Sequence, residues 1–83
     1  MNKLHRQLTV LCIQHEDEWT KAFKEGKLVV AIQNGSGEFR VVVSWYNDDW
    51  TRQQIVVQKF DDEGRAIQVM KKVKQFVYNK LGE

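Results

Sequence analysis

The sequence has little of what small disulfide-linked domains depend on. It contains no proline and a single cysteine, Cys12, among its 83 residues. One cysteine cannot close an intrachain disulfide, so the chain suits a reducing compartment. The absence of proline fits a short chain made mostly of regular helices and strands. At this length we expect one small domain over residues 1–83.

Signals for export and for membrane insertion are also missing. The N-terminal segment has a basic start and a short apolar run, but Thr9 and Gln14 interrupt that run. Acidic residues follow without a small-residue cleavage site, so we expect no signal peptide. Nothing in the sequence approaches the roughly 20 apolar residues that a membrane-spanning helix needs. We therefore expect a cytoplasmic protein that has no membrane partner.

Residues that carry catalysis or bind metals are few. Cys12 and His15 stand three positions apart, as two ligands on one helical turn would, but no second pair follows at a spacing typical of zinc sites. His5 and His15 have no evident serine or cysteine partner. The two closely spaced glycines, Gly35 and Gly37, belong to a turn and not to a phosphate-binding loop. We expect no metal, no cofactor and no enzymatic activity.

The overall charge is small. The formal net charge of +2 is too low on its own to indicate a nucleic-acid partner. Hydrophobic residues make up 42% of the chain and charged residues 29%, which is typical of a folded domain and not of a disordered one. Evidence for function must therefore come from how residues are distributed on the predicted surfaces.

Three central segments predict a β-sheet, because apolar and polar side chains alternate along them. They are residues 27–33, 38–46 and 50–60. Joined by short turns, they form a three-stranded antiparallel meander with two different faces. The inner face is largely apolar: Leu28, Val30, Ile32, Phe39, Val41, Val43, Trp45, Thr51, Gln53, Ile55 and Val57. The outer face is mixed: Val29, Ala31, Gln33, Glu38, Arg40, Val42, Ser44, Tyr46, Trp50, Arg52, Gln54, Val56 and Gln58.

The two turns determine the register between the strands. The four residues between Gln33 and Glu38 include two glycines, and a loop there places these two residues opposite each other. The three residues between Tyr46 and Trp50 have turn-forming side chains, which predicts that these aromatics face each other across the second hairpin. A slip of one residue would mix polar and apolar side chains on both faces, so this register is favoured.

Helices are predicted before and after the sheet. Residues 63–80 place apolar side chains at helical spacing and follow aspartates that suit an N-cap. Residues 16–25 begin with acidic residues, carry lysines toward their end and stop at Gly26. Residues 3–14 are ambiguous, since helical spacing of leucines favours a helix, whereas β-branched residues favour a strand over 8–14. We predict a helix for this segment.

Together these elements predict an α+β fold. An N-terminal helical segment precedes the three-stranded antiparallel meander, and a C-terminal helix follows it. The helices would pack on the inner face, because that face is the apolar one. This arrangement leaves the outer face open, unless an N-terminal segment or a second subunit covers it.

The outer face carries the candidate binding residues. Arg40 and Arg52 flank Tyr46 and Trp50, and exposed aromatics beside guanidinium groups stack bases and pair with phosphates. Val42 lies in a patch of valines on the same face, and an apolar patch invites a protein partner or a second subunit. The two aromatics would also suit a purely structural role as a cross-strand pair.

The C-terminal helix provides a second candidate surface. Lys71, Lys72 and Lys74 lie between Arg65 and Lys80, and no acidic residue intervenes in that stretch. Such a run usually forms a solvated helix face. It would also track phosphates or meet an acidic partner.

Two functions from different classes fit these residues. The first is a small protein-interaction module, acting as a regulator, an inhibitor or a homodimer through the outer face. The second is a nucleic-acid-binding module that uses the arginines and aromatics of the sheet together with the basic helix. An enzyme would require a convergent polar pocket that the sequence does not indicate.

Overall fold

The computed structural model describes residues 2–83 and contains three helices and three strands. In chain order they are α1 (Lys3–Gln14), α2 (Glu16–Lys24), β1 (Leu28–Gly35), β2 (Glu38–Tyr46), β3 (Arg52–Phe60) and α3 (Glu63–Leu81). The strands form one antiparallel sheet in the order β1-β2-β3. The predicted α+β fold is therefore confirmed. Within residues 2–83, no helix has the length and apolar character needed to cross a membrane.

The ambiguous N-terminal segment is helical. Asn2 caps α1, because its side chain accepts a hydrogen bond of 2.8 Å from the amide of His5. Leu8 and Cys12 are the buried residues of this helix, and both belong to the core. Their burial explains why helical spacing prevails over the β-propensity of the segment. The chain then changes direction at His15 before α2 begins.

A left-handed glycine ends α2. Gly26 has a φ of 70°, a conformation that glycine adopts without a steric penalty. Its amide donates to the carbonyl of Phe23 at 3.2 Å, and the amide of Lys27 donates to the carbonyl of Ala22 at 2.7 Å. These two bonds form a Schellman motif, which satisfies the last carbonyls of the helix and turns the chain into β1.

Helix α3 begins and ends where the sequence indicates. The side chain of Asp62 accepts a hydrogen bond of 3.1 Å from the amide of Arg65 and so caps the first turn. Its buried residues follow helical spacing: Ala66, Val73, Val77 and Leu81. The predicted helix over 63–80 is confirmed to within one residue.

The predicted register of the first hairpin is wrong by two residues. Gln33 is paired with Arg40 and not with Glu38, because β1 continues to Gly35. The loop has only two residues, 36 and 37, which have φ values of 54° and 76°. Positive φ at both positions is the type I′ geometry, whose twist matches that of the strands. A shift of two residues leaves every side chain of the pair on its predicted face.

The predicted register of the second hairpin is also wrong. Tyr46 is paired with Arg52, so β3 begins two residues later than predicted, and Thr51 lies in the turn and not on the inner face. A β-bulge in the middle of the β2–β3 ladder adds one residue to β3, after which Phe39 is paired with Phe60. The turn therefore holds five residues and not three.

The core lies between the inner face and the helices, as predicted. Six residues of that face belong to the core cluster: Leu28, Val30, Val41, Val43, Trp45 and Val57. Trp19 of α2 is fully buried, and its ring centroid lies 5.7 Å from that of Trp45. The ring of His15 stacks on Trp19 at 5.3 Å. The aromatic contacts join the helix layer to the sheet at this end of the molecule.

Candidate binding surface

The outer face of the sheet is open in the described chain. All three helices pack on the inner face, and nothing else in residues 2–83 lies over the other side. Val29 is 48% exposed and Val56 is 38% exposed, although both lie within strands of the sheet. An apolar sheet face without a covering layer is unusual in a small domain and marks the candidate surface.

Val42, predicted as a binding residue, is not accessible. It is fully buried, yet it does not belong to the core cluster of the inner face. Its neighbours on the outer face are Ala31 and Val56, and the side chains of Gln33 and Gln54 meet across it. The two amides exchange hydrogen bonds of 2.7 Å and 3.3 Å from β1 to β3. Val42 therefore supports the outer face from beneath the Gln33–Gln54 pair, and its predicted contact with a partner stays a prediction.

The two predicted arginines lie on the outer face. Arg40 is half-buried and donates from Nε to Glu38 at 3.2 Å. Arg52 donates to the hydroxyl of Ser44 at 3.4 Å, a long bond that holds the side chain only loosely. Lys59 is paired with Arg40 across the strands and adds a further positive charge to the same face.

Tyr46 and Trp50 lie together at the end of the second hairpin. Their ring centroids are 5.9 Å apart, and the Trp50 side chain is 67% exposed. The ammonium nitrogen of Lys27 lies 4.6 Å from the centroid of the Trp50 ring, within cation–π range. Lys27 was missed by sequence reasoning, because the predicted register placed it away from Tyr46. We call these three residues the aromatic corner.

Trp50 has an uncommon backbone conformation. Its φ is 65°, in the left-handed region that a bulky residue rarely occupies. The turn imposes this value, because the amide of Trp50 donates to Asn47 and the amide of Asn47 donates to Thr51, at 2.9 Å and 3.0 Å. Glycine is the usual residue at this position of such a turn. A tryptophan here costs about 1–2 kcal/mol of stability relative to glycine.

An ion pair ties the same turn to the helix layer. Lys21 of α2 donates to a carboxylate oxygen of Asp48 at 2.6 Å. This hydrogen bond holds the pKa of Asp48 below its ordinary value and raises the pKa of Lys21. The pKa of Asp49 is also lowered, because the side chain and then the amide of Thr51 hydrogen-bond to its carboxylate, the amide at 2.9 Å. Between the turn and α2 lies an open cleft of about 350 Å³.

The predicted lysines lie on the other side of the molecule. Lys71, Lys72 and Lys74 are exposed on α3, and α3 belongs to the layer that covers the inner face. The ammonium nitrogen of Lys74 lies 5.8 Å from the ring of Tyr78. The predicted set of contact residues therefore divides into two surfaces, and only the sheet residues are brought together.

Metal-binding and nucleophilic groups do not converge in the described part of the chain. No group of three or more His, Cys, Asp or Glu side chains is placed to hold a metal ion within residues 2–83. Cys12 is buried, and burial raises the pKa of its thiol, which disfavours the reactive thiolate.

Known proteins do not assist the assignment. No family model, no curated protein and no solved structure matches this chain. The function must therefore be inferred from the surface itself.

Proposed function

We propose that this chain is a non-enzymatic binding module that takes a protein partner on its outer sheet face, with the aromatic corner at the centre of the contact. The observation that carries the proposal is Trp50, which is 67% exposed in a strained backbone conformation. Strain of this kind is concentrated at functional sites, where it is retained for the sake of binding.

The chemistry of the surface supports a protein partner. Tryptophan, tyrosine and arginine dominate the residues that contribute most to protein–protein binding. The outer face presents Trp50, Tyr46 and Arg52 close together, with the exposed side chains of Val29 and Val56 beside them. Such a surface combines exposed aromatic and aliphatic side chains with charged ones, as binding sites for proteins do. The free, buried Cys12 is compatible with our inference that the module acts in the cytoplasm.

Affinity capture with matched variants tests this proposal. The tagged chain, Trp50→Gly and Lys72→Gln would each be used to capture proteins from cells that make the chain, followed by quantitative mass spectrometry. We expect a partner that the unaltered chain and Lys72→Gln both retain and that Trp50→Gly loses by about tenfold or more. Lys72 lies on α3, away from the outer face, and so serves as the control. Equal retention by Trp50→Gly would contradict the proposed site.

Nucleic-acid binding is the second candidate, and the charge of the outer face favours it. Three basic side chains on the strands, Arg40, Arg52 and Lys59, accompany a single carboxylate, Glu38. Lys27 lies beside them but is paired with Glu25 at 3.2 Å. Basic groups beside exposed aromatic rings suit single-stranded nucleic acid. The basic helix face would not contribute to the same contact, because it belongs to the opposite layer.

Tryptophan fluorescence distinguishes the two candidates. Trp19 and Trp45 are buried, so quenching by an added oligonucleotide would report on Trp50. Titrations with single- and double-stranded oligonucleotides at about 50 and 200 mM salt would show quenching that weakens steeply with salt if nucleic acid binds. Trp50→Gly provides the baseline. If neither oligonucleotide quenches the fluorescence at either salt concentration, the nucleic-acid candidate is excluded and the protein partner remains.

A further inference from the structure

The free edge of β1 has backbone groups that lack partners. The amide of Tyr46 donates to the carbonyl of Lys27 at 3.2 Å, which makes these two residues a hydrogen-bonded pair of the β1–β2 ladder. Hydrogen-bonded pairs alternate along antiparallel strands. Four residues of β1 therefore point their backbone N–H and C=O groups away from β2: Leu28, Val30, Ile32 and Asn34.

Only one of these four residues has its edge carbonyl satisfied. The hydroxyl of Tyr78 donates to the carbonyl of Leu28 at 3.3 Å, which agrees with the outward direction of that group. For Val30, Ile32 and Asn34, no hydrogen bond to an edge group is found within residues 2–83. Val30, Ile32 and Asn34 are successive outward-facing residues of the edge, and each thus offers a backbone N–H donor and a C=O acceptor.

The opposite edge of the sheet is protected. β3 carries the β-bulge and two charged residues, Arg52 and Lys59. The side chain of Gln7 from α1 also donates to the carbonyl of Val57 at 2.9 Å. Bulges, charges and covering side chains are the features by which proteins prevent edge strands from pairing with other chains. β1 has no bulge and no charged side chain between Leu28 and Gly35.

We propose that β1 pairs antiparallel with β1 of a second copy of this chain, about a two-fold axis at Ile32, to form a six-stranded sheet. In this register Val30 of one copy lies opposite Asn34 of the other, and Ile32 lies opposite its own equivalent. All three unpaired positions then exchange hydrogen bonds, while Leu28, whose carbonyl is bound by Tyr78, lies beyond the paired segment.

The sequence of β1 suits a partner identical to itself. Two-fold pairing gives both strands the same charges, so a charge close to the axis would lie near its own equivalent. The eight residues of β1 carry none. The nearest charges in sequence lie at opposite ends of the hairpin and have opposite signs, Lys27 and Glu38. The antiparallel arrangement brings Lys27 of one copy, which is paired with Glu25, to the end where Glu38 of the second copy, which is paired with Arg40, lies. Opposite charges and not like charges therefore meet at each end.

This pairing extends the outer face across both copies and does not depend on what that face binds. Ala31 would lie opposite Gln33 of the second copy, and the small Ala31 side chain leaves room near the axis. The two aromatic corners would lie at opposite ends of the joined sheet, because each adjoins Lys27 at the far end of its own β1. A dimer would thus present two equivalent binding sites on one surface.

Backbone hydrogen exchange in the unaltered protein tests the pairing directly. The amides of Val30, Ile32 and Asn34 would be compared in concentrated and dilute samples, with those of Val29, Ala31 and Gln33, which face β2, as internal controls. We expect the first three to exchange about tenfold more slowly in the concentrated sample, with no change in the controls. Exchange of all three that is fast and independent of concentration would overturn the proposal.

A matched pair of charge variants tests pairing at the β1 edge through the molecular mass in solution. Ala31 and Val56 both neighbour Val42 on the outer face, but one lies on β1 and the other on β3. At high concentration we expect the unaltered chain and Val56→Lys to have twice the chain mass of 9.8 kDa, and Ala31→Lys to have the mass of one chain. A single-chain mass for the unaltered protein, or dissociation by both variants, would contradict the pairing. Circular dichroism of Ala31→Lys would confirm that it folds, and if it does not, the exchange experiment decides.

Discussion

Three consecutive valines of β2 show how differently the two faces of the sheet are buried. Val41, Val42 and Val43 are all completely inaccessible to solvent. Val41 and Val43 point to the inner face and lie in the core under the helices. Val42 points to the outer face, where the side chains of neighbouring strands alone cover it. Equal burial therefore has two different causes within one strand.

The difference separates the side chains that stabilise the fold from those that we propose for recognition. Side chains under the helices are fixed by packing on several sides, so they contribute mainly to the free energy of unfolding. Side chains on the outer face cover one another with a single layer, above which Val29, Val56 and Trp50 remain exposed. A partner that binds there would complete a second core on the open side of the sheet.

The largest expected effect comes from truncating a valine of the inner face. Val43→Ala removes two methyl groups and leaves a cavity that the helices cannot fill, so we expect a loss of about 2–3 kcal/mol. Val42→Ala removes the same groups, but the overlying Gln33–Gln54 pair can settle and water can enter, and we expect about 1 kcal/mol. Urea unfolding measures both losses of stability, provided that the m-value is the same for the variants and the unaltered chain. Equal losses would show that the outer face is as tightly packed as the inner one.

The next effect isolates the strain at the aromatic corner. Trp50→Gly and Trp50→Ala both remove the ring together with its contacts to Tyr46 and Lys27. They differ only in the cost of positive φ, so we expect the glycine variant to be more stable than the alanine variant by about 1 kcal/mol. Urea unfolding followed through the buried Trp19 and Trp45 measures the difference. Equal stabilities would mean that the turn relaxes once the ring is removed.

The faces of the strands could be predicted from the sequence, but the register could not. Alternation of apolar residues assigns each side chain to a face, and a shift of two residues preserves that assignment. Pairing Gln33 with Glu38 or with Arg40 thus gives the same hydrophobic pattern, and only the backbone twist of the turn decides between them. The β-bulge has no local signal such as a glycine. Helix α3 was predictable because its cap, its spacing and its C-terminal glycine agree.

Residues of the candidate site could be predicted only where their positions follow from the assignment of side chains to the two faces of the sheet. Arg40, Tyr46 and Arg52 share the outer face because alternation along β2 and β3 places them there, whereas Trp50 lies in the turn and reaches Tyr46 from it. Lys27 was missed because its position beside Trp50 depends on the true register. The burial of Val42 required knowing that two glutamine side chains meet across β2, a contact between residues 21 positions apart. Contacts of this range are not encoded in local spacing.

The smallest expected effect is electrostatic and concerns the turn that joins the two layers. Lys21 donates to Asp48, so in the folded state this carboxylate has a lowered pKa and binds a proton less readily than it does in the unfolded chain. Its contribution to stability is therefore complete above the ordinary carboxyl pKa of about 4 and is lost as the pH falls through the lower folded value. Both side chains are more than half exposed, so the effect is small and weakens with salt.

Replacing Asp48 tests this contribution against a carboxylate elsewhere on the surface. We expect Asp48→Asn to flatten the dependence of unfolding free energy on pH below about 4 at low salt, because the group that releases the proton on folding is gone. Asp61→Asn is the control, since Asp61 is exposed and its side chain makes no hydrogen bond with the described residues. Urea midpoints measured across the acid range give both profiles. A profile for Asp48→Asn that matches the unaltered chain would mean that the Lys21–Asp48 pair does not hold the turn against α2, and the aromatic corner would then be positioned by the hairpin alone.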